Sequence, residues 1–475
     1  MKILLLNPPA AEEEKFTREG RCTQNDGFWS TLWPPVSLVY TGTLLKKSGH
    51  DVKVLDCPAV GMAIKQLEGV IRSYAPDAII WSTATPTIEG DLSLASRFKS
   101  IAPSVKTAVF GTHVSILDME CMAGAPLLDA VIRNEPEYTA LDWINSLGDP
   151  EKNAAIEGIT IRNRHGEIVR NPAREFITDL DRLPFPDWSL INFKSYVLPL
   201  KGEPFLIVSP LRGCPYTCAF CTSRTYYGSR TRLRSPSSLI AEMQNDIDTF
   251  GVRDFFFWAE TFTVNRAFVV ELCREIIKSG LKISWVCNAR VDTVDNEMLG
   301  LMRDAGCWMV SYGIESSDQA VLKNVKKNIT VEQVRKAVDM TRANGLISSG
   351  HVIFGLPGET AESARATADL VADLNLDFAQ FYCAVPFPGS ELYGMAVEKG
   401  YISTRPSGGF ECFRQEKAVM SLPTISTGEV EAIRKEAVRT FYMRPSRVLK
   451  LLKLMRWKSL LKSLPAALKF IKGLF

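Results

Sequence analysis

Three cysteines fall within one short run, Cys214-Pro-Tyr-Thr-Cys218-Ala-Phe-Cys221. Thiolates at this spacing can each hold one iron of a 4Fe–4S cube. The fourth iron then stays open to an amino acid bound through its amino and carboxylate groups. The other reading is a structural zinc site, which needs a fourth ligand. None of the four histidines, His50, His113, His165 and His351, lies near the run in sequence, although a distant cysteine could serve. Most of the other cysteines, Cys273, Cys287, Cys307 and Cys383 among them, sit beside apolar residues and read as small core side chains. Such clustering points to a metal or to catalysis rather than to a disulfide framework.

The elements that must position this loop follow from length and pattern. The chain has 475 residues, 46% of them hydrophobic, and a net charge of +3. That length suggests two or three domains, the composition excludes a wholly disordered chain, and the balance of charge gives no global sign of nucleic acid. No uncharged apolar run reaches the roughly 18 residues of a spanning helix, and Met1-Lys2 leads straight into a strand-like run with no signal-peptide pattern. A cytoplasmic chain is expected. In residues 1–145, the strands Lys2–Leu6, Asp51–Leu55, Ala78–Trp81, Thr107–Phe110 and Ala130–Arg133 alternate with helical patterns. This predicts an α/β fold, a doubly wound parallel sheet with its ligand at the carboxyl ends of the strands. Residues 146–200 read as a linker with a hairpin about His165-Gly166. Residues 201–400 offer six strands, Phe205–Ser209, Asp254–Trp258, Ser284–Asn288, Trp308–Gly313, Ser349–Phe354 and Phe378–Cys383, a count that fits a partial (βα)6 barrel. Residues 401–475 form a helical extension.

The cysteine loop resembles the CxxxCxxC motif of the radical S-adenosylmethionine (SAM) superfamily, and the resemblance runs to about residue 395. It implies that Cys214, Cys218 and Cys221 bind a 4Fe–4S cluster, which delivers an electron to the SAM sulfonium and releases a 5′-deoxyadenosyl radical. Phe220 matches the aromatic residue near the adenine. FFFWAETF (255–262) matches the second strand, where Glu260 would approach the methionine amino group and Ala259 replaces a second acid. WVCNAR (285–290) offers Arg290 for the carboxylate, YGIES (312–316) offers Glu315 for the ribose or methionine end, and VIFGLPGE (352–359) places Gly355 against the adenine. PFPG (386–389) matches the end of the sixth strand.

The N-terminal stretch resembles the flavodoxin-like cobalamin-binding domain fused to this barrel in class B radical enzymes. LNPP (6–9), the run from Trp33 through Asp56, FGTHVS (110–115) and RNEPE (133–137) carry that resemblance. Domains with a lower histidine ligand show Asp-x-His-x-x-Gly after the second strand, whereas this chain reads Asp56-Cys57-Pro58-Ala59-Val60-Gly61. Pro58 cannot ligate cobalt, so the resemblance implies cobalamin held without a histidine there, with Thr83, Thr85, Gly111, Thr112 and His113 as contacts.

The run Arg224, Arg230, Arg232, Arg234, with Tyr226 and Tyr227 interleaved, is a formal RNA-binding pattern. A solvated loop, or positive charge near an anionic ligand, is the reading preferred over nucleic acid. From Val438 to Phe475 there are ten cations and no acid, with apolar residues recurring at near-helical spacing. A basic amphipathic helix of this kind is read as lying on an anionic membrane, and a helix docked on the barrel is the alternative. The family resemblance, nearest to the anaerobic magnesium-protoporphyrin monomethyl ester cyclase-like and hopanoid- or lipid-modifying branches, implies radical chemistry on an unactivated carbon. It also implies a small hydrophobic substrate and an external electron donor such as flavodoxin or ferredoxin. Methylation leads; cyclisation, rearrangement or C–C coupling is the alternative, and a non-catalytic cobalamin- or redox-binding protein is the third.

Overall fold

A computed structural model describes residues 1–9, 16–19, 24–25, 32–198, 200–402, 409–445 and 447. Strands β1 (Lys2–Asn7), β2 (Asp51–Asp56), β3 (Ala78–Ser82), β4 (Lys106–Phe110) and β5 (Ala130–Ile132) form a parallel sheet in the order β2-β1-β3-β4-β5. This is the doubly wound order anticipated from the alternation of strand and helix. Residues along β1 alternate between two cores. Ile3 and Leu5 face one cluster, which continues into the barrel; Leu4 and Leu6 face the other, under the helix Ile88–Ile101. A period of two with both faces apolar is what a strand buried on both sides requires.

The hairpin β6 (Ile159–Arg162) and β7 (Ile168–Arg170) is the antiparallel outer edge of this sheet, with β6 on β5. Ile159 and Ile161 are buried in the core there, which draws the hairpin out of the linker.

The second sheet holds β8 (Leu206–Val208), β9 (Asp254–Phe257), β10 (Ser284–Ala289), β11 (Cys307–Glu315), β12 (Ile347–Phe354) and β13 (Phe378–Cys383), all parallel and in chain order. Helices follow the strands, each with a local start and stop. Pro236–Phe250 begins on Ser235, which accepts from the Ser238 N–H, and ends on Gly251 in a left-handed conformation. Six parallel strands in sequence order form a partial barrel, as the six predicted runs required.

The two sheets are joined by buried charge. Glu135 and Glu137, at the start of the helix Pro136–Asn145, meet Arg212 and Arg232 of the barrel. Arg212 bonds both carboxylates, at 3.1 Å and 2.5 Å, and Arg232 Nη1 lies 2.9 Å from both Glu135 oxygens. Burial alone would pull the Arg212 guanidinium down, but Glu137 and Glu135 raise it well above its ordinary value. Arg234 is likewise buried, against Glu242. Arg232 and Arg234 are therefore not part of a solvated loop: each is paired with a carboxylate inside the fold.

The helix Thr427–Tyr442 packs on β13, where the Tyr442 hydroxyl donates to the Ala379 carbonyl. Beyond it, Arg444 donates to the Ala372 carbonyl, and Arg447 to those of Ala372, Leu374 and Leu376, at the end of the helix Ala361–Asp373. Guanidinium groups there satisfy the orphan carbonyls of a helix terminus. The first cations of the basic segment are thus docked on the barrel; residues 448–475 lie outside the described residues. No helix among the described residues is long and apolar enough to cross a membrane.

Glu135→Ala would strip two buried guanidinium groups of their shared carboxylate. The expected loss is roughly 3–5 kcal/mol, read as a lowered denaturant midpoint. Glu297→Ala, which removes the exposed pairing with Arg266, should cost under about 1 kcal/mol.

Candidate functional site

The cysteine loop is clipped at its base. Leu211–Arg212 pairs antiparallel with Arg232–Leu233. Gly213 then turns with φ +90°, and a Cβ there would fall 2.3 Å from the Arg230 carbonyl oxygen, so only glycine fits. Its N–H donates to Glu260 Oε2 at 3.0 Å, Cys214 N–H donates to the Gly228 carbonyl, and Ala219 N–H donates to that of Val325. The backbone of the loop is thus anchored at three points.

Cys214, Cys218 and Cys221 line one cavity of about 290 Å³ at the carboxyl ends of the barrel strands. Phe220, Glu260, Arg290 and Glu315 line it too. Arg290 is held by two parallel bonds to Asp292, both 2.9 Å, and a third to the Lys327 carbonyl; its Nη1 lies 3.7 Å from Cys218 Sγ, and its guanidinium sits over the Tyr216 ring. Glu315 stands at φ +65° beside a bulge against β12, and its carboxylate bonds Lys327 Nζ at 2.7 Å. A non-glycine residue held left-handed costs of order 1 kcal/mol or more and is kept where its surroundings fix it. Here Gly313 makes the room, since a Cβ there would meet both Glu315 Oε1 and Lys327 Nζ. Burial pushes the Cys218 thiol up, while Lys327 and Arg290 pull it back toward the thiolate.

The donor set fits a polynuclear iron–sulfur group. Among the described residues no three His, Cys, Asp or Glu side chains gather at the spacing of one metal ion. Three thiols that share a cavity wall without meeting at a point suit a group that takes one thiolate per iron better than a single tetrahedral ion. Gly355 lies outside this lining. Its N–H donates to Glu359, and a Cβ there would press on Val430 at 3.2 Å.

The N-terminal residues form a separate group at the strand ends. Thr83 Oγ1 donates to the Phe110 carbonyl, and Gly111 packs so closely that a Cβ would fall 2.3 Å from the Thr83 carbonyl oxygen. His113 Nδ1 lies 3.3 Å from Thr85 Oγ1, and Phe410 meets its ring edge-on. Thr112 opens the short helix that carries His113. Pro58 sits apart, in the turn Cys57–Val60 after β2, with β1 between it and the others. It offers no donor nitrogen for cobalt.

Several site residues carry no sequence signal. Arg18 reaches across the β1–β3 switch point to bond Asn7, the Pro8 carbonyl and both oxygens of Asp91. Lys327 reaches Glu315 from a loop, and Trp33 brings the N-terminal domain into the barrel cavity beside Trp258. Only the fold brings these together. Tyr216 could have been marked, because it lies inside the cysteine run.

Residues 208–371 match the radical SAM superfamily, and residues 30–142 match the B12 binding domain. The chain is 29% identical over 450 residues, 95% of its length and 94% of the relative's, to an uncharacterized methyltransferase of Pyrococcus horikoshii. It is also 29% identical over 86% of its length and 74% of the relative's to an anaerobic magnesium-protoporphyrin IX monomethyl ester cyclase of Rubrivivax gelatinosus. Its fold is similar to that of the radical enzyme OxsB, solved with aqua-cobalamin and SAM bound, with a TM-score of 0.73 at 16% identity, covering 95% of this chain and 70% of that one.

Burial lowers the His113 pKa from 6.5 to about 3. Between those values the unfolded chain binds the proton and the folded one does not, so stability falls as pH drops below 6.5. The loss is roughly 2 kcal/mol by pH 5. His113→Gln should lose less melting temperature than the native protein between pH 7 and pH 5; parallel losses would contradict the assignment.

Proposed function

Because this chain belongs to the radical SAM enzymes that carry a B12 binding domain, we propose that it is a C-methyltransferase acting on an unactivated carbon of a small hydrophobic molecule associated with a membrane. The observation that carries the reading is the single cavity that joins the three thiols to a chamber walled by Phe205, Phe256 and Trp258 and by Trp33 of the N-terminal domain. Substrate, radical source and cobalamin domain would meet there.

Within it, Cys214, Cys218 and Cys221 hold the cluster and Phe220 faces the adenine. Glu260 takes the methionine amino group, Arg290 offers Nη1 to the carboxylate, and Glu315 faces the ribose. Gly355 supports the adenine side through its backbone. Thr83, Thr85, Gly111, Thr112 and His113 line the cobalamin side, with Pro58 standing where a ligating histidine would be. When bound, the cluster supplies the electron that cleaves SAM, and cobalamin supplies a carrier for the methyl group. The aromatic walls exclude water, which protects a carbon radical from side reactions. A one-electron donor of the flavodoxin or ferredoxin kind reduces the cluster, and residues 448–475 bring the protein from the cytoplasm to an anionic membrane.

Cyclisation or coupling is the second reading, favoured by the extent of the likeness to the cyclase. Anaerobic reconstitution with SAM and a membrane lipid extract separates the two. Methylation should give 5′-deoxyadenosine and S-adenosylhomocysteine together, and 5′-deoxyadenosine alone would favour the second reading. Cys218→Ala should lose cluster iron and all SAM cleavage, because assembly needs all three thiolates. Deleting residues 448–475 should release the protein from anionic vesicles in co-sedimentation while leaving SAM cleavage intact; if the truncated protein still sediments, the membrane role is wrong.

A further inference from the structure

The inward-facing residues of the barrel strands form layers. Register places Phe256, Val286 and Met309, on β9, β10 and β11, in one layer. Two residues further along, Asn288 pairs with Ser311, and Ser311 pairs with Ser349 of β12. Trp258 stands level with Asn288, since Phe257 pairs with Cys287. Two residues further again come Arg290, Gly313, His351 and Gln380, toward the cysteine end. The first layer is apolar, the second is neutral and polar across β10, β11 and β12, and the third carries charge. Successive layers lie about 7 Å apart along the strands.

The second layer is unusual, because bulky apolar residues ordinarily fill the interior of such a barrel. Asn288 and Ser311 both line the cavity, Ser311 is only 9% exposed, and Ser349 is buried beside it. None of these three side chains has a hydrogen-bond partner among the described residues. Toward the cysteine end the polar groups are engaged. Arg290 bonds Asp292 and the Lys327 carbonyl, and the Tyr382 hydroxyl lies between Gln380 and His351. An enclosed polar side chain without a partner is costly, so Asn288 and Ser311 are matched only when a bound molecule supplies one. The amide of Asn288 and the hydroxyl of Ser311 can both donate. Two neutral donors side by side suit an oxygen that bears no formal charge. Among the described lining residues, Glu260, Arg290, Glu315 and Lys327 stand in the third layer or beyond, and the exposed Arg224 follows the third cysteine. A carboxylate or phosphate would find no cation level with the pair.

We propose that Asn288 and Ser311 are specificity-determining residues that bind an uncharged oxygen, carbonyl or hydroxyl, on an otherwise apolar substrate. The Asn288 amide and the Ser311 hydroxyl donate to that oxygen, while the hydrocarbon lies against Phe256 and Met309 below and Trp258 beside it. The inference rests on the substrate reading above and narrows it from any hydrophobic molecule to one that carries a neutral oxygen into the barrel. It also bears on the site of reaction. The oxygen is held about 7 Å short of the Arg290 level, which sets how far from it the reacting carbon must lie.

2-Acetylnaphthalene and 2-isopropenylnaphthalene test this, because they share a shape and differ only in a carbonyl oxygen against a methylene. Binding is measured by calorimetry on the anaerobically reconstituted full-length protein. The native protein should bind the ketone roughly tenfold more tightly than the alkene, the discrimination expected when buried donors are left unpaired. Asn288→Leu, close in volume, should reduce the preference to about twofold or less, with alkene affinity unchanged or raised. Ser311→Ala, which removes one oxygen with little change in packing, is the second variant and should at least halve the preference. A merely structural residue would weaken both ligands together. Equal affinities in the native protein, no binding of either ligand, or a preference that survives both substitutions would each overturn the proposal. Binding of both ligands without preference would refute the oxygen site and leave the apolar chamber standing. Formation of 5′-deoxyadenosine by the native preparation with neither probe present tests the radical reading separately, so the two can fail independently.

Discussion

The architecture depends on four charges placed where water cannot reach them. Glu135, Glu137, Arg212 and Arg232 are nearly completely buried, and each guanidinium faces a carboxylate from the other domain. Isolated, any one of them would be prohibitively costly in the interior. Together they specify a single docking of the sheets, because a rotation or slip of one domain would leave a buried charge unpaired. The same contact sets the base of the cysteine loop, since Arg212 is the residue before Gly213 and Arg232 is its partner in the clip. Domain docking and loop geometry are therefore one constraint. The Asn134 amide adds to it by donating to the carbonyls of Thr225 and Tyr226, directly after the third cysteine's turn.

At the cysteine end, electrostatics and backbone strain support each other. Glu315 is held left-handed by a bulge, and its carboxylate is satisfied by Lys327, whose carbonyl in turn fixes Arg290. Two cations are thus brought beside Cys218, in a place where burial works against ionisation of the thiol. Neither cation is free to wander, because each is already bonded to a carboxylate. The cost of that order is met within the protein chain.

What could be read from the sequence divides along the range of the interaction. The strands were legible because their apolar runs are local: Phe378–Cys383 was found at its full extent, and Lys2–Leu6 is extended in the structure only to Asn7. The cysteine loop was legible because its chemistry lies within one short run. The four-charge cluster was not, although both of its halves stand out locally. RNEPE is a motif and the arginine run a basic segment, but the residues that pair lie roughly 75 to 100 positions apart. Periodicity carries no information about such partners. For the same reason Arg18 and Lys327 were invisible, and Arg232 and Arg234 looked like surface charge.

The basic segment shows that part of a run of cations can belong to the fold itself. Arg444 and Arg447 belong to the stretch of ten cations, yet their guanidinium groups cap the helix Ala361–Asp373 beside β13, and Arg447 lies over the Phe441 ring. Both arginines are thereby tied to the barrel beside its edge strand β13.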